Sequence, residues 1–257
     1  MLHTRLIYIL RILVICFCTT LDAQDLELVW EENFDGSDLE MASWKFETGD
    51  GCPLLCGWGN NERQIYTKKN HWVKDGLLYI SAKKVGDRYT SSKITTQGKK
   101  EFQYGKIELR AKLPLGKGLW PAFWMLGNNI NSVGWPKCGE IDILEYVGKE
   151  SEHIFTSLHT PASYGRTINT RKDRVDGIEE GFHTYTINWT PESIEFYIDG
   201  NSFYKFSPKT KNEETWPFNR PFYMILNLAI GGNFGGPDVD DSIFPQEFVI
   251  DYIRVYQ

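Results

Sequence analysis

The chain has 257 residues, 28 Lys+Arg against 34 Asp+Glu for a formal charge of −6, and is 41% hydrophobic and 14% aromatic. That length suits one large domain or two small ones, and the apolar fraction supports a packed core, which excludes a disordered chain. Mild acidity without clustered Lys and Arg excludes nucleic acid as the main partner, while 9 Trp, 13 Tyr and 15 Phe exceed what a core of this size needs, so some belong to a surface.

Met1 to Ala23 carries Arg5 and Arg11, an apolar run from Ile12 to Phe17, then small or polar residues ending at Ala23. A basic start, a short apolar middle and a small residue at the cut are the layout of a secretory signal peptide, so a secreted protein is expected. A lipid anchor on Cys16 or Cys18 is the rival reading. Ile15 and Phe17 precede those cysteines where a lipoprotein cut takes a small residue, which ranks the anchor below simple cleavage. No other segment is long and apolar enough to cross a bilayer. In the next stretch, GDGCPLLCGWGN, Cys52 and Cys56 can close a small loop in an oxidising compartment or stand as two neighbouring thiols. A metal site from these thiols lacks a fourth ligand nearby, and Cys138 reads as a buried free thiol.

The remaining chain reads as strand after strand: LLYISAKK, YGKIELRAKL, HTYTINWTP, SIEFYIDGNSFYKF and FVIDYIRVYQ, with turns of Gly, Asp, Asn and Pro between them. Ile194, Phe196 and Ile198 alternate with polar or aromatic neighbours, and Asp199-Gly200 supplies a hairpin turn. No stretch keeps a helical period for three turns, and neither a linker nor a repeat interrupts the pattern. These features give a single all-β domain over residues 24–257, two stacked antiparallel sheets, and a monomer is expected. The one Asn-x-Thr, at Asn188, falls in a strand and reads as accidental.

Three carboxylates lie within six residues in Gly139-Glu140-Ile141-Asp142-Ile143-Leu144-Glu145. In a regular strand Glu140 and Asp142 share a face and Glu145 points away. A β-bulge near Ile143-Leu144 brings Glu145 onto their face. Crowding and partial burial then raise at least one pKa, which suits a pair of carboxyls of which one attacks and the other donates a proton, as in retaining glycoside hydrolysis. The bland alternative is a solvated acidic strand or a cation site. Against it stand Trp120 and Trp124 in GLWPAFWML, and Trp135 just before the acids, since indoles spaced along a groove stack on the flat C–H faces of sugar rings.

The stretch GEIDILE resembles the bulged E-x-D-x-x-E signature of glycoside hydrolase family 16. The resemblance continues through GWGNNERQIYT, YTSSKITTQGK, YGKIELRAKLPLGKGLWPAFWMLG, SLHTPASYG, HTYTINWTPESIEFYIDG, NLAIGGNFGG and DYIRVYQ, in the family's order along the whole mature chain. Its nearest branch is the laminarinases, endo-β-1,3-glucanases. The resemblance implies a β-jelly roll with a concave sugar cleft. It also implies Glu140 as nucleophile, Glu145 as acid/base, and Asp142 as the residue that hydrogen-bonds the nucleophile. It assigns Trp120, Trp124 and Trp135 to the central subsites, Asn60 and Glu62 to the negative subsites, and His159 to a place beside the acid/base. Asn233 matches the family's GGNW segment, in which Phe234 here replaces the Trp. A structural Ca²⁺ is implied at the carbonyls of Glu32 and Gly76 and the carboxylate of Asp251. The implied partner is β-1,3-glucan, with mixed-linkage glucan as a second substrate.

Three alternatives stand beside this reading: a glucan-binding module, another enzyme of the same fold, and a lectin-like sandwich. Glucan-binding relatives have lost catalytic carboxylates, whereas all three acids are present here. Agarase- and carrageenase-type enzymes share the bulged signature, but GWGNNERQ and GLWPAFWML resemble the laminarinase form. Lichenases and xyloglucan transglycosylases lack the bulge, and a lectin-like sandwich does not require three converging acids.

Overall fold

Apolar–polar alternation decides which face of each strand is buried, and the computed structural model, which describes residues 26–257, follows it. The signal-peptide reading of Met1–Ala23, with Cys16 and Cys18, lies outside the described residues.

Ten strands make one sheet in the order Asn201–Phe206, Ile194–Ile198, His183–Trp189, Gly105–Lys112, Gln246–Tyr256, Leu77–Val85, Arg88–Ser91, Gln64–Tyr66; Leu28–Glu32 pairs with Gln246–Tyr256 and His71–Lys74 with Leu77–Val85. Eight make the other: Thr170–Arg174, His153–His159, Glu140–Tyr146, Leu119–Gly127, Phe222–Ile230, Lys93–Thr95, Lys45–Glu47, with Glu101–Phe102 on Phe222–Ile230. Among the described strands the expected antiparallel pairing has one exception, Gln64–Tyr66 parallel to Arg88–Ser91. A parallel pair needs a long crossover, and the intervening segment, which holds a whole hairpin, supplies it.

Every second residue of the central strands enters the core. Ile107, Leu109 and Ala111 meet Ile187, Trp189 and Val255 from one sheet, while Phe123, Met125, Leu226 and Leu228 close on them from the other. Each large side chain buried this way contributes roughly 1.5–3 kcal/mol. Trp189 is fully buried and its indole N–H donates to the carbonyl of Phe218 at 3.1 Å, so burial leaves no donor unpaired. Asn188 precedes it within the His183–Trp189 strand, as the sequence suggested.

Where alternation breaks, a bulge repairs it. On Gln246–Tyr256 the register shifts between Ile250 and Tyr252, so that Ile250 and Ile253 both reach the core around Asp251. The Asp199-Gly200 turn forms with φ of 48° and 76°, both in the left-handed region that a two-residue hairpin of this twist requires. The α-helical pieces, Ile130–Val133 and Gly232–Gly235, have four residues each, and no helix among the described residues is long and apolar enough to cross a membrane. Cys52 and Cys56 are joined in a disulfide, which resolves the alternative left by the sequence, and Cys138 is a buried free thiol.

Candidate active site

The strand Glu140–Tyr146 carries the three acids, and its bulge lies where the sequence predicts. Against Leu119–Gly127 the pairing jumps from Phe123↔Leu144 to Trp124↔Asp142. Against His153–His159 it jumps from Asp142↔Ser157 to Glu145↔Phe155. Ile143 and Leu144 therefore both turn into the core, and Glu145 joins Glu140 and Asp142 on the outer face. Ala122 sits opposite Glu145, and a side chain so small leaves room for Trp120, two residues earlier on the same face, to reach across. Trp120 Nε1 donates to Glu145 Oε1 at 3.1 Å. Trp135, on the loop after Ile130–Val133, donates Nε1 to Glu140 Oε2 at 2.8 Å. Each glutamate is thus anchored by one indole.

All three carboxyls are shifted upward. Burial first, then the charge of Asp142, pushes Glu140 up to about 8, and burial likewise pushes Asp142 up to about 8. Glu145 stands well above the ordinary carboxyl range through burial and repulsion from Asp142 and Glu140, with the Trp120 N–H pulling the other way. The contact between Glu140 and Asp142 raises the first and lowers the second, so a proton lying between them favours one carboxyl while the other ionises. When the proton sits on Asp142, Glu140 is ionised.

His159, the cross-strand partner of Glu140, sets the remaining proton position. The backbone N–H of Gly165 donates to His159 Nδ1 at 3.1 Å, so Nδ1 is an acceptor and the ring proton resides on Nε2. That nitrogen lies 3.1 Å from Asp142 Oδ2 and 3.5 Å from Glu140 Oε1. Asp142 Oδ2 is off the N–H line and otherwise unpaired in its buried position, which leaves it free to share the proton of Glu140. Glu140, Asp142 and His159 have ligand atoms within 4.8 Å of one another, the spacing of a cation site. A protonated Nε2 has no lone pair to offer a metal, so the cluster fits proton chemistry better than ligation.

Beside the acids a hydrogen-bonded chain runs outward along the sheet. Trp124 Nε1 donates to Asn227 Oδ1 at 2.7 Å, Asn227 Nδ2 to the Tyr66 hydroxyl at 3.1 Å, and that hydroxyl to Glu62 Oε2 at 3.1 Å. Gln64 also donates to Glu62 Oε2 at 2.6 Å, and Asn60 to Glu62 Oε1 at 3.3 Å. Asn60, Glu62 and Trp124, which share no local motif, are thereby one rigid unit. Asn233 is exposed, accepts from Asn61 Nδ2 at 2.8 Å and donates its backbone N–H to the carbonyl of Asn60 at 2.7 Å. Phe234 turns toward the acid. Its ring stands edge-on to Trp120 at 5.3 Å and to Phe155 at 4.9 Å, so the residue that replaces the family's Trp extends the apolar wall around Glu145.

Sequence reasoning missed Lys93. It is 7% exposed, its Nζ is 2.8 Å from Glu47 Oε2, and it lies over both Trp58 at 4.1 Å and Trp124 at 5.1 Å. A lysine in a three-residue strand gives no signal of burial, and only the fold brings two indoles and a carboxylate to it.

The residues implied for calcium lie on three elements of the ten-stranded sheet: Glu32 on Leu28–Glu32, Gly76 in the turn between His71–Lys74 and Leu77–Val85, and Asp251 on Gln246–Tyr256. A Cβ at Gly76 would be 3.9 Å from the carbonyl of Asn33 and 4.0 Å from Asp35 Oδ1, and Glu32 pairs with Ile253, two residues beyond Asp251. Asn33 and Asp35 thus put oxygen atoms, the donor type Ca²⁺ takes, near Gly76. The side chains have other partners: Glu32 accepts from Trp44 Nε1 at 3.0 Å and from the Phe34 N–H at 3.0 Å, and Asp251 is paired with Arg110.

An all-β sandwich whose outer face carries paired glutamates under indoles has the equipment of a glycoside hydrolase. The sequence model of glycosyl hydrolases family 16 matches residues 59–254, and the chain belongs to that family. It is 38% identical to a β-glucanase of Rhodothermus marinus over 98% of this chain and 94% of that protein. Among solved structures, the laminarinase of Flavobacterium sp. UMI-01 superposes with a TM-score of 0.89 at 65% identity, covering 90% of this chain and all of that one. The laminarinase catalytic domain of Thermotoga maritima gives 0.86 at 43% identity, covering 91% and 99%.

Proposed function

We propose that this protein is a secreted, endo-acting β-1,3-glucanase that cuts laminarin-type glucans, and to a lesser extent mixed-linkage β-1,3-1,4-glucan, with retention of configuration. The observation that carries the reading is the bulge at Ile143-Leu144, which sets Glu145 on the face of Glu140. Glu140, held by the Trp135 N–H, attacks the anomeric carbon, and Glu145, protonated because it is buried among like charges, gives its proton to the departing glucosyl oxygen. The resulting glycosyl ester on Glu140 is released when Glu145, now a base, takes a proton from water. Asp142 holds the proton that Glu140 must lose. The indoles of Trp120, Trp124 and Trp135 offer apolar faces to the sugars, and Asn60, Glu62 and Asn233 offer hydrogen-bonding groups for hydroxyls.

The test is product analysis on laminarin, lichenan, agarose and carrageenan side by side, with the anomer of the first product read by NMR. Mixed oligomers from laminarin, released first as the β-anomer, are expected. Cutting of agarose, or release of the α-anomer, would overturn the assignment. Binding without any turnover would place the chain with glucan-binding proteins.

Two further parts of the reading concern maturation and stability. Met1–Ala23 is removed on export, which mass measurement of the secreted protein checks. A structural Ca²⁺ between Glu32, Gly76 and Asp251 ties the terminal strands together once Arg110 yields Asp251. A chelator is then expected to lower Tm and leave the initial rate at low temperature unchanged.

A further inference from the structure

The end of the SLHTPASYG stretch, in which the resemblance gives a role only to His159, carries an aromatic ring into the vicinity of Glu140. Tyr164 is 54% exposed, and its ring stands edge-on to Trp135 at 5.4 Å and 82°. Trp135 is itself 44% exposed and donates to Glu140. Single exposed apolar residues are ordinary on a protein surface. Two exposed rings in contact, one of them bonded to a carboxylate of the active site, form an aromatic corner of two faces nearly at right angles that begins at the reaction centre.

The loop that holds Tyr164 is tightly knit. Thr160 and Ser163 exchange backbone hydrogen bonds at 2.9 and 3.0 Å, and Gly165 N–H is fixed on His159 Nδ1. Ser163 Oγ meets Thr167 Oγ1 at 2.9 Å, and Thr167 Oγ1 donates to the carbonyl of Leu158 at 3.0 Å. The backbone that carries the ring is held in place before any ligand arrives, which lowers the ordering cost of binding. Sheet order puts it on the far side of the acids from Asn60 and Glu62. Those residues are tied to Phe222–Ile230, two strands to one side of Glu140–Tyr146, whereas Tyr164 follows the strand His153–His159 on the other side.

We infer that Trp135 and Tyr164 form a glucosyl-binding subsite on the leaving-group side of the cleft, with the Tyr164 ring as the platform for a sugar of the departing β-1,3-glucan chain. The inference rests on the β-1,3-glucanase reading and on its assignment of Asn60 and Glu62 to the opposite, glycone side. The ring face takes the C–H face of the sugar, and the phenol hydroxyl is available to a sugar hydroxyl. Such a subsite acts only on substrates that carry sugars beyond the scissile bond.

The experiment compares wild type, Tyr164→Ala and Tyr164→Phe on laminarihexaose and on an aryl β-laminaribioside, whose leaving group is not a sugar. Tyr164→Ala is expected to lower the ratio of kcat/KM for hexaose to that for the aryl substrate about five- to tenfold, mostly through KM. Tyr164→Phe, which keeps the ring face, restores most of that ratio. An unchanged ratio with Tyr164→Ala overturns the inference. Equal loss on both substrates also overturns it, because Tyr164 would then only shield Trp135 or serve the glycone side. Failure of the wild type to cleave hexaose strikes the glucanase reading itself and the subsite with it, whereas wild-type cleavage with an unmoved ratio strikes the subsite alone.

Discussion

Glu145 and Glu140 stand on one face of one strand and each accepts an indole N–H, yet the two ends of that strand are built differently. At the Glu145 end the donor, Trp120, belongs to the adjacent strand, and Phe234 stands edge-on to it and to Phe155. At the Glu140 end the donor, Trp135, comes from a loop, is 44% exposed, and has His159 and Tyr164 as neighbours. The contrast fits the two tasks proposed for the pair. A carboxyl that must keep a proton needs dry walls and like charges, while one that must attack needs donors beside it and room for a sugar above it.

The sharpest break in that comparison is to remove each carboxyl. Glu140→Ser is expected to lower kcat on laminarin by at least about 10⁴-fold while oligosaccharide binding, read by calorimetry, survives. Near-normal turnover would remove Glu140 from the role of nucleophile. Glu145→Ala should lose about 10²–10⁴-fold. Part of the loss should return with azide, or with an aryl substrate whose leaving group needs no proton. A folded variant that neither azide nor a good leaving group rescues would mean that Glu145 is not the acid.

Much of this site was legible in the sequence because its parts are local. The five-residue spacing of Glu140 and Glu145 on an alternating strand demands a bulge, and the two adjacent apolar residues Ile143 and Leu144 show where it falls. Alternation likewise separated Trp120 and Trp124 from Phe123 and Met125. What was illegible depends on distant pairing. Lys93 becomes a cleft residue only when Glu47, Trp58 and Trp124 converge on it, and the Glu62–Tyr66–Asn227–Trp124 chain spans three separate segments. The role of Phe234 was open for the same reason: its neighbours Trp120 and Phe155 are remote in sequence.

A milder probe of the dry end is the pH dependence of stability. The folded protein holds the Glu145 carboxyl well above its unfolded range, so between those two limits the native state binds more protons than the unfolded chain. The sign follows: the stabilisation from this group is full below the unfolded value, near 4.3, and is lost as pH rises through the folded one. Wild-type Tm should therefore fall between pH 5 and 8. Glu145→Gln, neutral throughout, should come closest to wild type at the acid end of that range and exceed it increasingly toward pH 8. Parallel Tm curves for the two proteins would show that Glu145 is not held protonated in the folded state.

The smallest change separates the two ends most cleanly. Trp120→Phe and Trp135→Phe each keep an aromatic ring and delete one N–H donor. Both donors favour the ionised form of their carboxyl, so losing either raises the pKa of its partner. The consequences for kcat/KM are opposite. Glu140 must be ionised to attack, so Trp135→Phe moves the acid limb of the pH profile upward and narrows the optimum. Glu145 must be protonated to donate, so Trp120→Phe moves the alkaline limb upward and widens it. The profiles of the two variants on one laminari-oligosaccharide decide the matter: if Trp135→Phe moved the alkaline limb and Trp120→Phe the acid one, the roles of nucleophile and acid would have to be exchanged.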